Sequence, residues 1–308
     1  MLTKLTGGYK NKVAKLEDKG KTYVAMFFDL HDPHSEEISY IHSNIDPLLK
    51  DKLPVRYKID YVENPNQNVI IFNYVLGSTI PWEGYEMNHL KLLGLAMSNL
   101  HFELKELDTK LTDGIEVQVG QVYEMQKYFA DRGVVKALED KLSIKLNTNL
   151  EKYIKLFEEI KKQPIQTIHL DLVRGNILFA TKDEIKNEDS KIFLTIDNEL
   201  FLTGILDFEK VALGPRILDI ARTLAFLIVD CKYKEEGKIR KYFLESGYNK
   251  RGKMKLPEMK YLSDLMEYFW LYDFFKFLYY TPYESLLDNE HFKRTLKELM
   301  KRDLILPK

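Results

Sequence analysis

The sequence predicts an α+β fold in two unequal parts: a small strand-rich part over residues 1–76 and a larger, mainly helical part over residues 77–308. Three observations lead there. Apolar runs flank Asp18-Lys19-Gly20-Lys21, which is good hairpin chemistry. After residue 85, apolar residues recur every three or four positions, as on helix faces. Within that helical part, Ile177-Leu178-Phe179 and Phe201-Leu202-Thr203-Gly204-Ile205-Leu206 are short apolar runs that read as a second hairpin, set within residues 168–210.

Taken in order, Gly7-Gly8-Tyr9-Lys10-Asn11-Lys12 reads as a turn before a strand at 13–17, with a return strand at 22–28. Asp32-Pro33-His34-Ser35 is a helix-start signal with proline in the first turn. Ile38, Ile41, Ile45 and Leu48 then form a helical apolar stripe. Residues 68–76 read as a strand closed by Gly77, where the two parts meet. Helices are expected over 85–106, 118–141, 150–162, 217–229, 257–280 and 283–301. Residues 182–198 are polar and acidic, and read as a surface loop carrying a short strand at 191–196.

The 308 residues are 45% hydrophobic and 30% charged, ample for a packed core and typical of a soluble chain. A formal net charge of −1 gives no general attraction to nucleic acid or to an anionic membrane. The single cysteine, Cys231, excludes an internal disulfide, and no zinc-type Cys/His spacing occurs. The first eight residues lack the apolar core of a secretory signal, and the apolar stretch 218–229 is interrupted by Asp219, Arg222 and Thr223. The expectation is a cytoplasmic protein without nucleic-acid or membrane partners.

The chemistry is concentrated in His169-Leu170-Asp171-Leu172-Val173-Arg174-Gly175-Asn176 and Gly204-Ile205-Leu206-Asp207-Phe208-Glu209. The first is H-x-D-x-x-x-x-N; the second is an acid ending an apolar run. Phosphoryl transfer from a nucleotide needs one carboxylate to orient and deprotonate a hydroxyl, and hard oxygen ligands for Mg²⁺. Asp171 suits the first role, and Asn176 with Asp207 suits the second. A hairpin would set those two side by side. His169 reads as a packed scaffold for the loop. Arg174 suits either an anion-steadying role or a salt bridge supporting the loop.

These residues carry a resemblance. Residues 168–179 resemble the catalytic loop of the aminoglycoside phosphotransferase and choline kinase family, and 204–209 resemble its metal-binding segment. Gly214-Pro215-Arg216-Ile217-Leu218-Asp219-Ile220-Ala221-Arg222 is similar to the family's following G-x-x-x-x-D-[LI]-A-R. The stretch ending Leu100-His101 looks like the family's helix that ends in Leu-His. The likeness runs over most of the chain, more weakly at both ends. It implies a bilobal protein-kinase-like fold, with residues 1–76 as nucleotide-binding lobe and 77–308 as catalytic lobe. It also implies ATP or GTP with Mg²⁺ in the cleft, a small-molecule acceptor, and Asp219 holding the loop's backbone.

The resemblance further assigns Gly7 and Gly8 to the phosphate loop, Glu37 to the first helix's ion-pairing position, and Tyr74 and Val75 to the strip that meets the base. It places Met26 where the family has a lysine for the nucleotide phosphates. Methionine supplies neither charge nor donor. Either Lys10, Lys12 or Lys21 substitutes for it, or the chain is a weak or silent pseudokinase acting through nucleotide or partner binding. In the last long helix, Glu267, Trp270 and Asp273, with Asp230, could together face a cationic amine. Aromatics at helical spacing serve a core equally well. A sugar-like acceptor would need neither acids nor aromatics.

Overall fold

The computed structural model describes residues 2–4, 12–30, 32–63, 66–105, 107, 109–186, 192–233 and 235–308. Gly7, Gly8 and Lys10 lie outside the described residues.

The first part is one antiparallel sheet and one helix. Strands β1 (Leu2–Lys4), β2 (Lys12–Asp18) and β3 (Lys21–Asp29) precede helix α1 (Pro33–Leu49), and β4 (Lys58–Glu63) and β5 (Gln67–Asn73) follow it. The sheet order is β1-β2-β3-β5-β4. Lys19 and Gly20, both at positive φ, close the β2–β3 hairpin. Asp32 caps α1 by accepting from the His34 backbone N–H at 3.0 Å. The stripe of α1 buries Ile38 against Val24 and Phe28 of β3 and Ile70 and Phe72 of β5, a small core of its own.

The second part holds α2 (Met87–Glu103), β6 (Thr112–Asp113), α3 (Gly114–Ala130), α4 (Arg132–Leu142), β7 (Ile144–Leu146), α5 (Glu151–Ile160) and β8 (Gln166–Ile168). Then come β9 (Ile177–Thr181), α6 (Lys182–Ile185), β10 (Leu194–Thr195), β11 (Leu200–Ile205) and β12 (Ala212–Gly214). The chain finishes with α7 (Ile217–Asp230), α8 (Glu236–Arg240), α9 (Leu256–Met259), α10 (Leu262–Tyr280), α11 (Tyr283–Leu286), α12 (Glu290–Lys301) and β13 (Ile305–Pro307). The expected α+β, bilobal architecture is present: a β-rich region followed by a mainly helical one around a much larger core.

Three expected single helices are divided, for local reasons. Residues 118–141 split into α3 and α4 because the Asp131 carboxylate accepts from Gly133 and Val134 N–H, starting a new helix. Residues 283–301 split into α11 and α12 because Asn289 caps Phe292 N–H. Residues 257–280 split into α9 and α10. The strand expected at 191–196 is the two-residue β10 within the described residues.

The two parts are sewn together through the β9–β11 hairpin. Val55 bridges Ile205, and Ser78 bridges Phe179. Gly77, at φ +115°, passes so close that a Cβ there would lie 2.4 Å from Thr203 Oγ1. Among the described residues, no helix is long and apolar enough to cross a membrane.

Candidate active site

The hairpin sets the geometry. In β9 and β11, Ile177 lies opposite Ile205. One step further, Leu206 N–H donates to the Asn176 carbonyl at 2.8 Å. Asn176 and Asp207 therefore project from neighbouring strand ends. Asp207 takes the left-handed conformation at φ 61° and is exposed. The Asn176 side-chain N–H₂ donates to the Asp171 carbonyl at 2.9 Å, which commits its nitrogen and turns its oxygen outward as a hard donor. Among the described residues, no group of three or more His, Cys, Asp or Glu could hold a metal. An Asn–Asp pair fits Mg²⁺, which takes few protein ligands and completes its shell with phosphate and water.

The loop bearing Asp171 is held from below. Asp219, in the first turn of α7, accepts from His169 N–H at 2.8 Å and from Leu170 N–H at 2.5 Å, and it contacts His101 Nε2 at 2.9 Å. Leu170 sits at φ 57°, and these bonds hold that unfavourable turn. His101 reaches Tyr248 Oη at 2.7 Å on its other side, so α2, α7 and the loop share one buried network. His169 Nδ1 accepts from Asp171 N–H at 3.2 Å, which leaves Nε2–H to donate to the Leu206 carbonyl at 3.2 Å. That bonding fixes a neutral imidazole, and complete burial pushes its pKa down, against the pull of Asp219 and Asp171. His169 thus ties the Asp171 loop to the Asp207 strand.

Asp171 is 7% exposed and has two cationic partners, Lys210 Nζ at 2.6 Å and an Arg222 guanidinium nitrogen at 2.9 Å. Burial pushes its carboxyl up, but Arg222 and Lys210 outweigh burial and hold it at about 2. It is a carboxylate at every physiological pH. Arg222 comes from α7 and stacks over Phe226 and Phe269; its Nε is buried without a hydrogen-bond partner. Arg174 is exposed on the loop and makes no hydrogen bond or ion pair among the described residues.

A cavity of about 280 Å³ opens beside this carboxylate. Its lining includes Leu170, Lys210, Arg222, Tyr272 and Lys276 from the larger part, with Gln118 and Gln121 of α3 and Glu37 and Tyr40 of α1. Glu37 is exposed, and His34 links it at 3.3 Å to Glu209, which lies 3.1 Å away on the other nitrogen. One histidine of α1 thus bridges the two lobes just beyond Asp207.

Met26 is half-buried and packs with Val24, Phe28, Ile70 and Phe72. Lys12 and Lys21 are exposed; Lys21 lies beside the hairpin turn, opposite Asp18. A different cation stands at the lobe seam: Arg56, whose backbone N–H donates to Ile205 at 2.9 Å. Its Nε is buried without a partner. Burial pushes its guanidinium down to about 10 despite the attraction of Asp207. Val75 packs with Leu178 and Leu206 in a separate small apolar cluster, and Tyr74 lies under Lys15 at 5.7 Å.

The four residues marked for an amine acceptor stand elsewhere. Asp230 and Asp273 grip opposite nitrogens of His291 at 2.5 and 2.8 Å. Glu267 pairs with Lys152 at 3.1 Å. Trp270 is 2% exposed, donates its indole N–H to the Ala225 carbonyl, and packs under Arg302. None of the four lines the cavity beside Asp171. Arg56, Lys210 and Lys276 had carried no signal in the sequence. Lys210 lies three residues beyond Asp207, a spacing that would have drawn attention to it had the segment's path back toward Asp171 been visible.

No protein-family model and no curated protein matches the sequence. Solved structures do match. The aminoglycoside phosphotransferase APH(4)-Ia, in a ternary complex with ADP and hygromycin B, superposes with TM-score 0.56 at 13% identity, over 98% of this chain and 92% of that one. An ethanolamine kinase of Plasmodium vivax matches with TM-score 0.55 at 15% identity, over 98% and 83%. A macrolide 2'-phosphotransferase of Brachybacterium faecium matches with TM-score 0.52 at 13% identity, over 90% and 87%. The chain has the bilobal, protein-kinase-like fold of these proteins.

Proposed function

We propose that this chain, with that fold, an Asn176 side chain bonded to the Asp171 backbone and Asp207 at the adjoining strand end, is a small-molecule O-phosphotransferase that moves the γ-phosphate of ATP or GTP to a hydroxyl. The observation that carries this reading is Asp171: a deprotonated carboxylate held by Lys210 and Arg222, both of which line a cavity. A base for this chemistry needs a fixed direction more than a high pKa, because the proton leaves late in a loose transition state. Residues 1–76 serve as the nucleotide lobe and 77–308 as the catalytic lobe.

Asn176 and Asp207 would hold Mg²⁺, which when bound neutralises charge on the transferring phosphate. Val75, Leu178 and Leu206 offer an apolar seat for the base, and Tyr74, the residue before Val75, packs on the core of the smaller lobe. The Met26 vacancy in charge is covered by Arg56, a cation beside Asp207 without a fixed hydrogen bond at Nε. Lys210 and Arg222 orient Asp171 and lower the cost of bringing an anionic nucleotide close to it. Arg174, exposed on the same loop, is free to steady the outgoing phosphoryl group.

Asp171→Asn tests the assignment. It removes the proton acceptor but keeps the shape, so transfer should fall by roughly 10³-fold while nucleotide affinity by calorimetry stays within about twofold. Undiminished transfer by this variant would sink the role of Asp171. A second reading, a nucleotide- or partner-binding pseudokinase, draws on the apolar surroundings of Met26. Metal-dependent nucleotide binding without transfer to any acceptor would favour it.

A further inference from the structure

The cavity beside Asp171 has an unusual charge balance. Lys110, Lys210, Arg222 and Lys276 all line it. Asp171 answers two of these directly. Lys276, on α10, has no hydrogen bond or salt bridge among the described residues; its neighbour one turn back, Asp273, is already engaged by His291 and Thr295. Two acids also line the cavity, Glu37 and Glu209, and both are in contact with His34. Burial and repulsion from Arg222 and Lys210 push the Lys276 ammonium down, with Asp273 and Asp171 pulling against them. The buried Arg222 Nε lacks an acceptor as well. Gln118, Gln121 and Tyr272 add neutral hydrogen-bonding groups, as hydroxyl-rich ligands require.

We propose that the acceptor is a small hydroxylated anion, a carboxylate or a phosphate monoester. Its negative group lies against Lys276 and Arg222, and its hydroxyl meets Asp171. This rests on the phosphotransfer reading and specifies its substrate class. The hydroxyl oxygen forms the new bond to the γ-phosphorus, the bond to the bridging oxygen of the nucleoside diphosphate breaks, and the proton passes to Asp171 Oδ. A polycationic acceptor would meet four cations lining the same cavity against two acids, Glu37 and Glu209, that His34 already contacts. The size agrees: about 280 Å³ suits a ligand of one sugar ring or less better than a multi-ring one.

The test is calorimetric titration of the full chain, with and without MgADP, using gluconate, glucose 6-phosphate, glucose and kanamycin. The two anions should bind about tenfold or more tightly than glucose, and kanamycin should bind no better than glucose. Lys276→Met should weaken the anions about tenfold, and Lys276→Arg should restore them, with MgADP affinity unchanged in both variants. A preference for glucose or kanamycin, failure of both anions to bind, or indifference to Lys276→Met overturns the proposal. Failure of MgADP itself to bind wild type is a separate result, which sinks the phosphotransfer reading while the nucleotide-free anion titrations still decide the charge preference.

Discussion

Two carboxylate clusters in the helical lobe use the same residue types and do different things. Around Asp230, every charge is paired: His291 sits between Asp230 and Asp273, and Arg294 between Asp230 and Glu83. The cluster staples α7, α10 and α12 together, and every strong group has a partner. Around Asp171, the pairing is incomplete. One buried carboxylate faces Lys210 and Arg222, with Lys276 beyond them, and a cavity opens where the next anion would go. Complete pairing marks a structural joint; an incompletely bonded charge beside open space marks a site. Sequence spacing alone makes the Asp230 group look like a ligand cage, because α10 presents Glu267, Trp270 and Asp273 in one short run.

The largest effect should come from removing the anchor on which the open cluster depends. Asp219 is 1% exposed and accepts from three groups, two of them backbone N–H in a strained turn. Asp219→Ala should cost roughly 3–5 kcal/mol in urea unfolding and abolish transfer, because buried donors lose their charged acceptor. A loss below about 1 kcal/mol would mean that the loop holds its own shape.

The fully paired cluster should be broken by pH instead. Burial pushes His291 down, but its bonds to Asp230 and Asp273 win and raise it to about 9. Its folded pKa lies above the unfolded value of roughly 6.5, so its contribution is complete below that pH and is lost as pH rises through about 9. Asp230 works in the opposite sense. Burial raises it, but His291 and Arg294 hold it below the usual range, so its contribution is present above roughly pH 4 and is lost on acidification. His291→Gln should cost about 2–3 kcal/mol at pH 6 and much less at pH 10. Equal losses at both pH values would contradict a charged His291.

What could be read from the sequence divides along the same line. The β9–β11 hairpin was legible because a local motif and two apolar runs fix it within about forty residues. The breaks at Asp131 and Asn289 were not, because a helix cap can be told from an interior polar residue only when the bonds are seen. Lys276 and Arg56 were also beyond reach: Lys276 makes no salt bridge among the described residues and Arg56 Nε no hydrogen bond, and both are properties of three-dimensional neighbours. Residues from α3, α7 and α10 converge on the cavity from positions more than a hundred residues apart in the chain.

The smallest effect is the most discriminating between the two kinds of charge. Arg56 is half-buried at the lobe seam, its Nε unpartnered, and Asp207 is the carboxylate that bears on it. A cation left in this state is a cost to the empty protein, because desolvation is not repaid by a full set of hydrogen bonds. Arg56→Met should therefore leave unfolding free energy unchanged or raise it by about 1 kcal/mol, while weakening MgATP about tenfold. A structural arginine would show the reverse, lost stability with intact nucleotide affinity. Placing Met26→Lys in the Arg56→Met background sharpens the result further. Recovery of nucleotide affinity would show that one phosphate-facing charge suffices, whichever strand supplies it, whereas no recovery would tie the role to the seam position that Arg56 occupies beside Asp207.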